Sequence, residues 1–128
     1  MKVNQGDCGG IILRAYNDAL SNDAFDSFKI CSDHSYAFYT HKPGYSVAFS
    51  SPGNNGKRDL IYGGLGQTNR IAVLTQGQTF TFSINGQFLG SMTDQDKVTS
   101  HGSIGICTSA NNKSAASVTF TNAVVWTS

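Results

Sequence analysis

Strict alternation of polar and apolar residues most constrains how this chain folds. In the segment TFTFSI at 79–84, every second residue is Phe or Ile and the others are Thr or Ser. Successive side chains of a β-strand point to opposite faces, so this pattern gives one apolar and one polar face. The segments at 103–109 and 117–121 alternate similarly. We predict that these segments face a common core through Phe80, Phe82, Ile84, Ile104, Ile106, Val118 and Phe120.

Turn signals divide the rest of the chain into short strands. Asn85-Gly86 is the strongest hairpin signal, and no window shows a convincing helical period. The pattern predicts about nine strands. Their predicted bounds are 11–15, 25–31, 36–40, 45–49, 70–75, 79–84, 87–92, 103–109 and 117–126. The prediction is an all-β fold, an antiparallel two-sheet sandwich forming a single domain over residues 1–128.

Charge excludes some classes of partner and limits the chemistry. Only 13% of the 128 residues are charged and the net charge is +1, so no strong field draws the chain to nucleic acid or an anionic membrane. No apolar stretch approaches the roughly 18 residues of a membrane helix. All eight acidic residues are Asp. Since glycosidases on β-sandwiches usually use a carboxylate pair, most often Glu, the composition favours binding over hydrolysis.

The three cysteines leave two interpretations open. Cys8, Cys31 and Cys107 are too dispersed for a zinc site, and no metal site is predicted from them. All three are small core residues, or two of them form a disulfide. The odd count leaves at least one thiol without a partner in the chain.

Several strings, taken in order, resemble the concanavalin A-like lectin/glucanase superfamily, which has a jelly-roll fold. They are GDCGGIILR at 6–14, FKICSD at 28–33, GQTNRIAV at 66–73, FSINGQ at 82–87, SHGSIGI at 100–106 and FTNAVVW at 120–126. The chain looks most like bacterial keto-disaccharide-hydrolase-like domains and the modules attached to some membrane-anchored kinases. The resemblance implies a jelly roll, and the superfamily contains lectins, hydrolases and adhesion modules.

Two departures from the family pattern bear on function. The usual Asp-Gly turn is Asp33-His34 here, and relatives begin several strands earlier. Without those strands, the edge beside the strand from Ile11 to Arg14 would lie open. We therefore expect a homo-oligomer or a complementing segment from elsewhere, as a closed dimer or a propagating filament, with a monomer that rearranges its edge as the alternative.

Four residues are the predicted ligand-binding set. The resemblance implies that Arg14 looks toward the concave face, where its guanidinium would donate to sugar hydroxyls. Tyr16 is a candidate aromatic platform, and Tyr39 shares a strand face with His41. The predicted site combines Arg14 with Tyr39 on the outer side of the first three-stranded meander.

The leading hypothesis is a noncatalytic, extracellular or cell-surface module that binds carbohydrate or a protein partner. A structural subunit assembling by strand complementation is one alternative. A glycoside-active enzyme using Asp7, Asp33 or Asp94 is the other. No cofactor is predicted, although Asp94-Gln95-Asp96 is a loop carboxylate pair that keeps Ca²⁺ as a minor alternative to turn capping.

Overall fold

A computed structural model describes residues 1–16, 24–42, 45–49, 59–94, 101–110 and 115–127. Within these ranges the chain forms antiparallel strands and no helix, as the alternation predicts. The strands are β1 (Lys2–Gln5), β2 (Cys8–Tyr16), β3 (Ala24–Cys31), β4 (Tyr36–Lys42), β5 (Tyr45–Phe49), β6 (Ile71–Gln76), β7 (Thr79–Ile84), β8 (Gln87–Thr93), β9 (Ser103–Ser109) and β10 (Ser117–Thr119).

The strands form three antiparallel sheets. One has five strands in the order β5-β4-β3-β2-β9, and another has three in the order β6-β7-β8. The third pairs β1 with β10, and a single bridge from Lys2 to Thr68 extends it. The predicted meander is therefore confirmed as β2-β3-β4, and the Asn85-Gly86 hairpin joins β7 to β8 with both turn residues at positive φ.

Phenylalanine rings join the five-stranded sheet to the three-stranded sheet. Phe28 stacks on Phe82 with ring centroids 4.6 Å apart, and Phe38 lies 4.7 Å from Phe80. All four side chains are almost fully buried. The two sheets thus pack as a β-sandwich, and the predicted inward phase of Phe80, Phe82 and Ile84 is confirmed.

The β3–β4 turn places a His residue at a left-handed backbone position. His34 adopts φ 68°, a left-handed conformation that costs a non-Gly residue energy. Its Nδ1 lies 2.9 Å from the Ile61 carbonyl oxygen, and its ring packs where a Cβ on Gly63 would otherwise stand. Asp33 accepts a hydrogen bond from the Ser35 backbone N–H at 2.9 Å. The turn is therefore fixed by side-chain contacts.

The disulfide alternative for the cysteines is correct, and the interpretation with three free thiols is wrong. Cys8 and Cys31 are directly paired across β2 and β3 and form a disulfide, while Cys107 is a free, half-buried thiol. The bond ties the ends of the first hairpin together.

The prediction of which side of β9 faces the core is correct, but the prediction that the side chains on that side are buried is wrong. Ile106 is paired with Ile11, which is itself paired with the buried Phe28, so Ile104 and Ile106 lie on the core-facing side. Both are nevertheless exposed, to 54% and 62%. β9 is the last strand of the five-stranded sheet, and its side chains extend past the facing layer.

The predicted open edge at residues 11–14 is also wrong. β2 is paired with β3 on one side and with β9 on the other. Among the described strands, the edge of this sheet on the β2 side is β9.

The predicted strand over 117–126 is shorter in the structure. β10 ends at Thr119 because its partner β1, which the sequence pattern did not indicate, is only four residues long. Val118 and Phe120 remain half-buried against the core, whereas Val124, Val125 and Trp126 are exposed.

The contrast between β7 and β9 is testable. Phe82→Ala should lower the free energy of unfolding by roughly 3–5 kcal/mol because it empties a space between the sheets. Ile106→Ala should cost less than about 1 kcal/mol because the side chain is already largely in water. Urea denaturation at low protein concentration measures both. Equal losses would mean that Ile106 is covered in the monomer.

Candidate functional site

A row of aromatic rings crosses the outer face of the five-stranded sheet. Phe25 and His41 stack with centroids 4.3 Å apart, and the His41 and Tyr39 rings are 6.0 Å apart; each pair is inclined by 26°. The Lys29 ammonium lies over the Tyr39 ring, 5.5 Å from its centroid. We call Phe25, Lys29, Tyr39 and His41 the outer-face row. All four side chains are half-buried, so the row is accessible from solvent.

Strand register brings the outer-face row together. The turn after Cys31 pairs Ile30 with Tyr36, and continuing this register places Phe25 directly opposite His41. Alternation then turns Phe25 and Lys29 to the face opposite the buried Phe28. The sequence prediction found that Tyr39 and His41 share a face. It did not include Phe25 and Lys29, although the register that the turn after Cys31 sets between β3 and β4 would have placed both on this face.

The surroundings of the His41 ring favour its neutral form. Burial lowers the pKa of His41, and the positive charge of Lys29 lowers this pKa further. A neutral imidazole has one donor and one acceptor nitrogen. The row therefore offers apolar ring surface, a neutral hydrogen-bonding ring and a cation side by side.

A buried hydroxyl lies among the side chains of this face. Ser27 is paired with Tyr39 on one side and with Ile12 on the other, and it is 1% exposed. Within the described part of the protein, its Oγ has no hydrogen-bond partner. No hydrogen bond from the described residues therefore offsets the burial of this hydroxyl.

Arg14 does not join the outer-face row. It was expected on that side, in phase with Ile12, but β2 bulges here against both of its neighbours and Arg14 has φ 52°. A bulge adds one residue and reverses the following side chain. Arg14 is consequently buried in the core, where its guanidinium carbon lies 4.1 Å from the centre of the Phe80 ring.

Inside the sandwich, Arg14 belongs to a buried polar cluster. Its Nε is 3.7 Å from Asp26 Oδ2, and the Thr40 hydroxyl donates to Asp26 Oδ1 at 3.0 Å. Asp94 is also buried. Burial raises the pKa of Asp26 to about 6; the Thr40 hydrogen bond and the charge of Arg14 oppose this shift, and the charge of Asp94 adds to it.

Tyr16 lies apart from the outer-face row as well. It follows the bulge and is paired with the buried Ala24, which places it on the inner face of the sheet. About half of its side chain is nevertheless exposed to solvent. Of the four predicted ligand-binding residues, the structure thus brings Tyr39 and His41 together and separates Arg14 and Tyr16 from them.

The carboxylates proposed for catalysis lie at different ends of the sandwich. Asp7 and Asp33 flank the Cys8–Cys31 disulfide in turns, whereas Asp94 follows β8 and lies near Asp26. No sequence motif marks Asp26 as a candidate. Gln95 and Asp96 of the calcium hypothesis lie outside the described residues.

In the described ranges, no three His, Cys, Asp or Glu side chains group so that they could hold a metal ion. The same ranges contain no helix long and apolar enough to span a membrane.

Comparison with known proteins adds no assignment: no family model, curated protein or solved structure matches this chain.

We expect Asp26 to make stability depend on pH. Its folded pKa of about 6 exceeds its ordinary value of 3.8, so between these values the folded protein binds a proton that the unfolded chain releases. Acidification from pH 7 to pH 5 should therefore stabilise the protein relative to Asp26→Asn, by about 1.3 kcal/mol.

Urea denaturation of both proteins at the two pH values measures this difference. The opposing effect of His41 is common to both proteins and cancels in the comparison. Asp59→Asn, at an exposed position, is the control and should keep the pH dependence of the unchanged chain. A parallel response of Asp26→Asn and the unchanged chain would contradict the assignment.

The buried hydroxyls of Ser27 and Thr40 should respond differently to removal. Ser27→Ala should change the free energy of unfolding by less than about 0.5 kcal/mol because no hydrogen bond is lost. Thr40→Val should cost about 1–3 kcal/mol because an Asp26 oxygen loses its donor in the core. Thermal or urea unfolding distinguishes them, and equal costs would argue against the separate roles.

Proposed function

We propose that this protein is a noncatalytic extracellular module of the concanavalin A-like type that binds carbohydrate on the outer-face row. The observation that supports the proposal is the stacking of Phe25, His41 and Tyr39 in one row with a cation beside it. Two packed antiparallel sheets are the architecture expected for such a module. The jelly-roll connectivity is part of the proposal.

The chemistry of the row matches the two sides of a sugar ring. A pyranose has an apolar C–H face, which would pack on the solvent-facing side of the three stacked rings. Its hydroxyl groups need hydrogen-bond partners, which the Tyr39 hydroxyl, the neutral His41 ring and the Lys29 ammonium supply. The row contains both kinds of group within a few ångströms.

The shape of the site favours weak binding. The row lies on a sheet face and its side chains are only half-buried, so a ligand keeps much of its surface in water. We expect dissociation constants in the micromolar to millimolar range, which is about 4–8 kcal/mol.

The disulfide supports an extracellular location. Disulfides persist in oxidising compartments and are rare in the cytosol, and Cys8–Cys31 lies in the strand pair that carries Phe25 and Lys29.

Catalysis is not part of the proposal. Asp26 and Asp94 lie near each other, but they are 0% and 2% exposed, so no substrate atom reaches them in this conformation. Asp26 contacts Arg14 and Thr40 as part of the packed interior.

Glycan binding should depend on the rings of the row. Tyr39→Ala and Phe25→Ala should each weaken the affinity for the best ligand of a glycan array at least about tenfold, because each removes ring contact. Titration calorimetry with that ligand measures the loss.

Tyr62→Ala is the matched control because it removes an exposed tyrosine outside the row, and its affinity should not change. An array without ligands would refute carbohydrate binding, whereas a ligand that Tyr39→Ala still binds fully would place the site elsewhere.

A further inference from the structure

The core-facing side of β9 is an apolar strip at an open edge. Ile104 and Ile106 have the same phase as the buried Phe28, yet more than half of each side chain is in solvent. No described strand pairs with the other side of β9. Proteins commonly protect such edges with Lys or other charges, but residues 102–110 include no charged residue.

The same chain carries a segment suited to this edge. Residues 121–127, which follow β10, form neither strand nor helix, and Val124, Val125 and Trp126 are 59%, 60% and 81% exposed. The segment is uncharged and seven residues long, which is the length of β9. Within one copy, both the strip and the segment remain uncovered.

We propose that β9 binds residues 121–127 of a second copy of this chain as an added strand. Strand addition gives main-chain hydrogen bonds along the edge, and apolar side chains of the added segment cover Ile104 and Ile106. An uncharged edge and an uncharged segment meet without desolvating an ion.

The buried area suffices for a dimer. If two copies exchange segments reciprocally, alternation turns Val124 and Trp126 of each added strand toward Ile104 and Ile106, and these four exposed side chains of each copy are covered. The two copies together then bury on the order of 1,000 Å², the smallest area expected of a specific interface. One-way exchange, in which each copy donates to the next, produces a filament.

The test compares two exposed apolar positions by sedimentation velocity of the 128-residue chain over a range of concentrations. The unchanged chain should associate. Ile106→Lys should raise the dissociation constant at least tenfold because it places a charge in the strip. Phe88→Lys is the control: Phe88 is equally exposed, at 64%, but pairs with Ser83 on the other sheet, and its association should be unchanged. Urea denaturation checks that both variants fold.

A second variant tests the donor segment. Trp126→Ser should weaken association like Ile106→Lys. Mixing the two variants should give heterodimers through one intact contact, because the segment of the Ile106→Lys copy still fits β9 of the Trp126→Ser copy. Neither variant alone can form an intact contact.

A chain that is monomeric at all concentrations, or association that survives Ile106→Lys, would overturn the proposal. Loss of association with Ile106→Lys but not with Trp126→Ser would also overturn it, since that result means that two β9 edges pair directly.

Discussion

The ring contacts between the sheets are the interaction on which the rest of the structure depends. Phe28 and Phe38 meet Phe80 and Phe82, and these four side chains fix which face of each strand is buried. Because Phe28 points inward, alternation turns its neighbour Lys29 outward. The pairing of β3 with β4 then places Phe38 on the inner face and Tyr39 on the outer face. The outer-face row is thus a consequence of the core packing on the other side of the same strands.

The alternation of polar and apolar residues predicted where the strands lie and which side of each strand faces the core. It did not predict whether a second sheet covers that side. The bounds of β5, β7 and β9 match the prediction, and Phe82 is inside as expected. Ile106 has the correct phase and is still exposed, because a two-residue period says which way a side chain points and nothing about whether a second layer lies above it. That depends on the widths of the sheets, which are set by long-range pairing.

The candidate site was predictable only where local rules apply. Tyr39 and His41 are two residues apart in one strand, so their shared face follows from the sequence. Arg14 was misplaced because a bulge, which no local signal marked, reversed its side chain into the core. Asp26 was overlooked because nothing in a lone Asp between Phe25 and Ser27 indicates that Arg14 and Thr40 will meet it.

The Cys8–Cys31 disulfide has a mechanical consequence. It closes residues 9–30 into a covalent loop, so a pulling force applied on either side of the loop passes through the bond and does not unzip β2 from β3. Fully extended, the segment inside this loop would be about 75 Å long, and the disulfide prevents it from extending under force. Under load, the chain would lengthen by that amount only after reduction of the disulfide, and β3, which holds Phe25 and Lys29, would stay joined to β2 at one end.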